Sequence, residues 1–384
     1  MTYKHLSFVS LFAVAALSAS AQRNVENFNF GWQFHRGNID VAAINTSDGS
    51  WETINVPHDF QISQPWVAPA ANESEDNSDG ASNFKSRLSA RGFKEMGDGW
   101  YVKTYTPAAD MKGRRILLDF EGIMYVGDVY LNGKRIGGTD YGYLGFDIDV
   151  SKLLKYGQAN TIAVHASTSG PLNSRWYTGG GLYRDVKIVS TPADIYFVRH
   201  PLYVTTTDNH LVNLQVEVAN YTKQNNVKLQ TVVKDPQGNI VYDKTVDMPF
   251  NRKMRTNELK WETIDIANPK LWNCDTPNLY TATVRILDAN GKEKDCATTR
   301  FGIRTIEIGP DFGLKVNGSK VLLKGIANHH TLGALGAAAY PRAMEKRMKM
   351  LKDFGFNHIR TSHNPYSTSF LNLCDSLGIL VLDE

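Results

Sequence analysis

From about Gln22 to Ser190 the chain is written in short apolar runs cut by Gly, Asn and Asp, a punctuation that belongs to strands and turns. Trp100–Tyr105, Arg115–Phe120, Val126–Leu131, Ile162–Ala166 and Asp185–Val189 are clear examples. Asn132-Gly133, directly after Leu131, is the signature of a type I′ hairpin, whose two central residues both need positive φ. Residues 22–190 therefore read as a jelly-roll β-sandwich. Pro65 to Gly97 has no clear period and reads as a long loop, either bordering a site or a plain surface insertion. A second β pattern runs over residues 191–303. There Val212–Val218 and Val227–Val233 alternate with period two, and Asp235-Pro-Gln-Gly238 marks a turn. About a hundred residues with this spacing fit an immunoglobulin-like β-sandwich.

The period changes over residues 304–384. Val321–Ala327, Asn357–Thr361 and Ile379–Leu382 are short apolar runs separated by two segments of helical spacing. The first segment begins with Pro341, places Met344, Met348, Leu351 and Phe354 on one face, and stops at Gly355. The second takes Ser367 or Thr368 as N-cap, places Phe370, Cys374 and Leu377 on one face, and stops at Gly378. Strand, helix, strand, helix, strand predicts a parallel sheet with right-handed crossovers. Polar residues gather after each strand: Asn328, His329 and His330, then Arg360, Ser362, His363 and Asn364, then Asp383 and Glu384. That end of a parallel barrel carries its chemistry. The whole is thus a mostly β, multidomain chain ending in the first three strands of a (β/α)8 TIM barrel, cut off after the third.

Charge narrows the function. Lys plus Arg is 42 and Asp plus Glu is 39, a near-balance that argues against nucleic acid or an anionic membrane as partner. Residues 1–21 read as a signal peptide, with Lys4 and His5 before an apolar Leu6–Leu17 too short to span a bilayer, then the cleavage site Ala19-Ser20-Ala21. An exported, periplasmic or secreted protein without membrane insertion is expected, starting at Gln22. Three cysteines, 274, 296 and 374, are too few for a disulfide scaffold. Cys374 reads as a core thiol, and spacing leaves open whether Cys274 and Cys296 pair.

The run Asn357-His-Ile-Arg360-Thr-Ser-His363-Asn-Pro365, followed by Phe370, Leu373-Cys-Asp375, Gly378 and Asp383-Glu384, resembles a signature of glycoside hydrolase family 2. The upstream His329-His330-Thr-Leu-Gly-Ala-Leu-Gly-Ala-Ala is most similar to its β-galactosidase branch. Asn55-Val-Pro-His58-Asp59, Gly142-Tyr-Leu-Gly-Phe146 and Arg175-Trp-Tyr-x-Gly-Gly-Gly-Leu-Tyr-Arg184 resemble the family's N-terminal sugar-binding-like domain, and Phe312–Val321 the hairpin before its barrel. The resemblance implies an exported retaining hydrolase acting on a β-linked galactoside or glycan, of which this is the N-terminal part. A β-glucuronidase, a β-mannosidase, or a non-catalytic carbohydrate-binding remnant are the alternatives.

Retaining hydrolysis needs two carboxyl groups about 5 Å apart, one protonated and one ionised. The family implies two Glu on later barrel strands, the acid/base preceded by Asn. Asn72-Glu73 and Asn257-Glu258 both fall outside the barrel and are rejected, so no catalytic residue is assigned and the chain as given is expected to be inactive. By resemblance His329 and His363 contact sugar hydroxyls, a role suited to a ring with one donor and one acceptor nitrogen. His330 joins them, although Thr331 follows it where close relatives are expected to have Asp. Arg360 is implied to hold the nucleophile Glu; its alternative is an ion pair with another carboxylate such as Asp383. Asn364 either meets substrate or shapes the turn before Pro365, and Glu384 is implied to be a supporting residue. Arg175 and Trp176 either reach across from the first domain or are a surface Arg beside a core Trp. Some β-galactosidases of the family hold Mg²⁺ with residues just past this point, so no metal ligand is assigned here. Gly179–Gly181 is not a phosphate loop, because no GKS/T follows, and His58-Asp59 reads as structural for want of a nucleophile motif.

Overall fold

The computed structural model describes residues 22–68, 92–170, 176–221, 227–248 and 258–384. The leader at 1–21, Asn72-Glu73, Asn257 and Arg175 lie outside the described residues.

The first sandwich is built from β1 (Asn24–Asn27), β2 (Trp32–Arg36), β3 (Glu52–Ile54), β4 (Asp98–Tyr105), β5 (Arg115–Phe120), β6 (Val126–Leu131), β7 (Lys134–Thr139), β8 (Phe146–Asp149), β9 (Asn160–Ser167) and β10 (Val186–Thr191). One sheet runs β1-β10-β5-β8 and the other β3-β2-β4-β9-β6-β7. The core between them holds Trp32, Phe60, Tyr101, Ile116 and Phe120, all fully buried. Large apolar side chains stabilise by about 1.5–3 kcal/mol each when fully buried. Asn132 and Gly133 both take positive φ, 51° and 82°, and close the β6–β7 hairpin.

The second sandwich comprises β11 (Ile195–Thr207), β12 (Leu211–Asn220), β13 (Val227–Lys234), β14 (Ile240–Met248), β15 (Glu258–Asp265), β16 (Tyr280–Leu287) and β17 (Glu293–Phe301). Its sheets run β11-β12-β15 and β14-β13-β16-β17. Glu258 opens β15, in this sandwich. The two sandwiches are joined by Asp295, fully buried, which receives Arg23 Nε and Nη2 at 3.1 Å each and the Phe197 amide at 2.8 Å. Cys274, Cys296 and Cys374 are all free thiols, and Cys374 is buried.

A hairpin sheet follows, β18 (Ile306–Gly309), β19 (Gly313–Val316) and β20 (Ser319–Val321), and then the parallel sheet β21 (Gly325–Asn328), β22 (His358–Thr361) and β23 (Leu380–Leu382). Two helices cross over between its strands, α1 (Pro341–Asp353) and α2 (Thr368–Leu377). Two expectations need correction. The run Val321–Ala327 is not one strand. Asn317-Gly318 folds Ser319–Val321 back on Leu314–Val316, leaving Leu322 and Leu323 exposed, and the parallel strand begins only at Gly325. Phe354 does not share the buried face of Met344 and Met348: α1 ends at Asp353, the chain turns at Gly355 with φ 85°, and Phe354 is 79% exposed. On α2, Ser367 is the N-cap and Gly378 the left-handed stop. Trp272 donates from Nε1 to the Asp375 carbonyl at 2.8 Å, and Arg300 donates to Ser376 and Asn372, so the second sandwich grips α2.

Candidate active site

The parallel register places Asn328 beside Thr361, and Arg360 beside Leu382, so the polar residues after β21, β22 and β23 converge at one mouth. Arg360 Nε donates to Glu384 Oε1 at 2.5 Å, and His363 Nδ1 lies 2.7 Å from Glu384 Oε2. The guanidinium also approaches His363 Nδ1 at 3.4 Å. Hydrogen bonds from Arg360 and His363 hold the Glu384 carboxyl below its ordinary range, so it is ionised at neutral pH. Arg360 is therefore paired within this sheet. Its carboxylate partner is Glu384, whereas Asp383 accepts from the Thr361 hydroxyl at 2.7 Å.

Trp176 arrives from the first sandwich. Its indole stacks on His329 with centroids 4.7 Å apart and planes 28° from parallel, and lies 5.1 Å from the His363 ring. His329 and His363 face each other edge-on at 5.8 Å. Three rings from two domains thus form one wall. Burial, with a smaller contribution from His363, lowers the His329 pKa, which favours the neutral imidazole able both to donate and to accept.

His330 points away from that wall. Its Nε2 meets the Thr178 carbonyl at 3.1 Å, its ring sits edge-on to Tyr143 at 5.3 Å, and burial pushes it down to about 4. A cavity of about 20 Å³ beside it, bordered by Asn328, Arg347 and Tyr366, has room for a water molecule but not for a sugar. The structure thus groups His329, His363, Arg360, Glu384 and Trp176 and leaves His330 as a fixed neighbour. Asn364 stands at the rim, where its Oδ1 accepts from the Tyr141 hydroxyl at 2.7 Å.

Several residues that organise the mouth are not placed there by the sequence, where Asp59 reads only as structural. Asp59, 4% exposed, accepts the Gly180 and Gln61 amides on Oδ1 and the Ala337 amide and Tyr177 hydroxyl on Oδ2, at 2.7–3.0 Å. It so ties the segment that carries Trp176 to the loop after β21. Burial raises the Asp59 pKa, and its four donors pull against that rise. Arg184, also buried, donates to the Tyr143 and Pro365 carbonyls and spans the same domain boundary. Arg347 reaches from α1 to Asn328 Oδ1 and the Thr331 carbonyl. The available signals are Asp59 within Asn55–Asp59, Arg184 closing the Gly-rich segment 175–184, and Arg347 three residues after Met344 on the apolar face of its helix.

Among the described residues no group of three or more His, Cys, Asp or Glu side chains is placed to hold a metal ion. The Glu384 oxygens face Arg360 and His363, a donor environment unsuited to Mg²⁺. No helix among the described residues is long and apolar enough to cross a membrane.

Three family descriptions match the chain in series: the glycosyl hydrolase 2 galactose-binding domain-like family over residues 89–174, glycosyl hydrolases family 2 over 197–304, and the TIM barrel domain of that family over 310–384. The β-galactosidase BoGH2A of Bacteroides ovatus is 31% identical over 378 residues, covering 97% of this chain and 42% of that protein. A β-glucuronidase of Formosa agariphila is 29% identical over 394 residues, 94% of this chain and 38% of that protein. The crystal structure of a glycosyl hydrolase family 2 member from Bacteroides cellulosilyticus superposes with a TM-score of 0.82 at 33% identity, over 94% of this chain and 45% of that one. The chain spans less than half the length of these three relatives. On the sequence of domains, the mouth they build and these relatives together, the chain belongs to glycosyl hydrolase family 2.

Proposed function

We propose that this chain is the N-terminal portion of an exported retaining β-glycosidase acting on β-galactosides, and that its 384 residues alone do not hydrolyse them. The observation that carries the reading is the convergence of Trp176, His329, His363, Arg360 and Glu384 on one strand-end mouth. A pyranose there meets an aromatic wall for its C–H face and imidazole nitrogens for its hydroxyls. Glu384, held by Arg360, accepts from His363 Nδ1, which fixes the ring's orientation before substrate arrives. Glu384 is held ionised, the wrong state for a general acid, and its hydrogen bonds to Arg360 and His363 make it a brace. The two carboxylates that retention requires are then the two Glu of later barrel strands that the family resemblance implies.

Relatives named β-galactosidase and β-glucuronidase stand at similar identity. A neutral sugar is favoured over a uronate because the cations described at this mouth, Arg360, Arg184 and Arg347, all donate to protein acceptors. The test compares kcat/KM of the full-length protein on aryl β-galactoside, β-glucuronide and β-mannoside, with the 384-residue chain assayed alongside. Higher kcat/KM on the glucuronide or mannoside overturns the substrate reading, and turnover by the 384-residue chain overturns the division of labour. For export, N-terminal sequencing of protein recovered outside the cytoplasm should read from Gln22; an intact Met1 there refutes it.

A further inference from the structure

The outer face of the β11-β12-β15 sheet, in the second sandwich, has an arrangement that the barrel mouth does not use. The register sets Tyr203 opposite Gln215 and Gln215 opposite Trp261, so the three side chains form one rank across three strands. Strand residues alternate faces, and the neighbours Val212, Leu214 and Val216 are buried, so this rank points away from the core. Tyr203 is 60% exposed and Trp261 66% exposed. The adjacent rank is Thr205, Asn213 and Thr263.

We propose that this face is a binding platform for a neutral oligosaccharide chain lying across the strands. Two strand spacings separate Tyr203 from Trp261, about 9.5 Å, enough for one hexose ring over each aromatic or over alternate residues of the chain. The polarised C–H face of a pyranose is attracted to the negative face of an aromatic ring. Between the rings, the Gln215 side-chain amide makes no hydrogen bond among the described residues, and it offers both a donor and an acceptor to sugar hydroxyls. Thr205, Asn213 and Thr263 continue the hydroxyl and amide surface. The Thr263 hydroxyl donates to Asn213 Oδ1 at 2.9 Å, which orients that amide. Neither rank contains a charged side chain; the nearest charges on the same face are the carboxylates Glu217 and Asp265 on the flanking ranks, so the two ranks offer no cation for an anionic glycan or a phosphate. The chemistry that fits is a neutral polymer with alternating apolar faces and hydroxyl edges. The platform would hold the protein on a polysaccharide while the mouth addresses chain ends.

Affinity electrophoresis of the full-length protein in gels containing neutral β-galactan, galactomannan or β-glucan tests this, with polygalacturonate as the anionic comparison. Retardation by at least one neutral polymer is expected. Trp261→Ala and Tyr203→Ala should each weaken it about tenfold, the size of one stacked aromatic contact. Their melting temperatures should stay unchanged, because both side chains face solvent. Trp66→Ala removes an equally exposed indole elsewhere and should leave retardation intact. His363→Ala, which disables the mouth, should also leave it intact, so failure of the hydrolase reading is distinguished from failure of this one. Absence of retardation by any neutral polymer, equal retardation of the Trp261→Ala and Tyr203→Ala variants, or loss with His363→Ala alone overturns the platform. A dimer in light scattering that dissociates on Trp261→Ala overturns it as well, because the face would then be a contact between copies.

Discussion

Asp59→Asn keeps the shape of a buried side chain and changes only what it can accept, so its cost can be worked from the geometry. The carboxylate serves two backbone amides on Oδ1, and one backbone amide and one hydroxyl on Oδ2. An asparagine can keep its oxygen toward Gly180 and Gln61, but its NH₂ then faces the Ala337 N–H and the Tyr177 hydroxyl. Tyr177 can turn its proton and accept; Ala337 cannot. One buried N–H is stranded, at about 1–3 kcal/mol, and because every 1.4 kcal/mol is tenfold, local opening should become roughly 5- to 150-fold more frequent. Asp59→Ala strands three amides and a hydroxyl and should cost about 3–5 kcal/mol. Amide hydrogen exchange read by mass spectrometry on peptides covering 176–181 and 332–339 is the assay. Both peptides should exchange faster in Asp59→Asn, while 281–287 in the second sandwich stays unchanged. Unchanged exchange at 332–339 would refute the claim that Asp59 holds the loop after β21.

The pH dependence of stability has a definite sign. His58 and His330 are both pushed by burial from 6.5 to about 4, so the unfolded chain binds more protons between those values. Their contribution is complete above pH 6.5 and falls as pH drops to 4, by up to about 1.4 kcal/mol per pH unit for each. Urea midpoints at pH 7 and 5 measure it, and His58→Gln should shrink the difference. Arg23→Ala leaves buried Asp295 without its guanidinium and should destabilise the chain by roughly 1–3 kcal/mol; a melting temperature within error of the parent contradicts this. In the full-length protein, Arg360→Ala should lower kcat more than it changes KM, through loss of the brace on Glu384 and His363, and His363→Ala should lower kcat/KM roughly ten- to a thousandfold. Near-normal turnover with a large drop in melting temperature would make both residues structural.

Local chemistry was legible where it acts through the backbone. Asn132-Gly133 announced its hairpin because few other residue pairs accept two positive φ values in sequence. Gly378 announced the end of α2 for the same reason, and Ser367, one of two N-cap candidates with Thr368, caps its start by accepting from the Phe370 amide. What the pattern misplaced was a boundary. The apolar letters from Val321 to Ala327 are continuous, and only the hairpin register, a pairing between residues several positions apart, splits them between β20 and β21. At the mouth, His329, His363 and Arg360 stood out by position after their strands. The partners of Arg360 and the role of Asp59 did not, because both depend on contacts between distant segments: 24 residues separate Arg360 from Glu384, and 278 separate Asp59 from Ala337. Arg175 lies outside the described residues, so only its neighbour Trp176 is placed at the mouth.

The stack of Trp176 on His329 also has a direction in time. Chains are made from the N-terminus, and domains tend to fold as they emerge. The segment holding Trp176 closes with β10, more than a hundred residues before β21 is synthesised. One ring of that three-ring wall therefore stands before the barrel exists, and the strands that bring His329 and His363 are laid down against it. A barrel transplanted from a relative without its own first sandwich would inherit its catalytic strands and lose that ring. Chimeras that exchange the two as one cassette should keep the stack, whereas those joined at the barrel boundary should not.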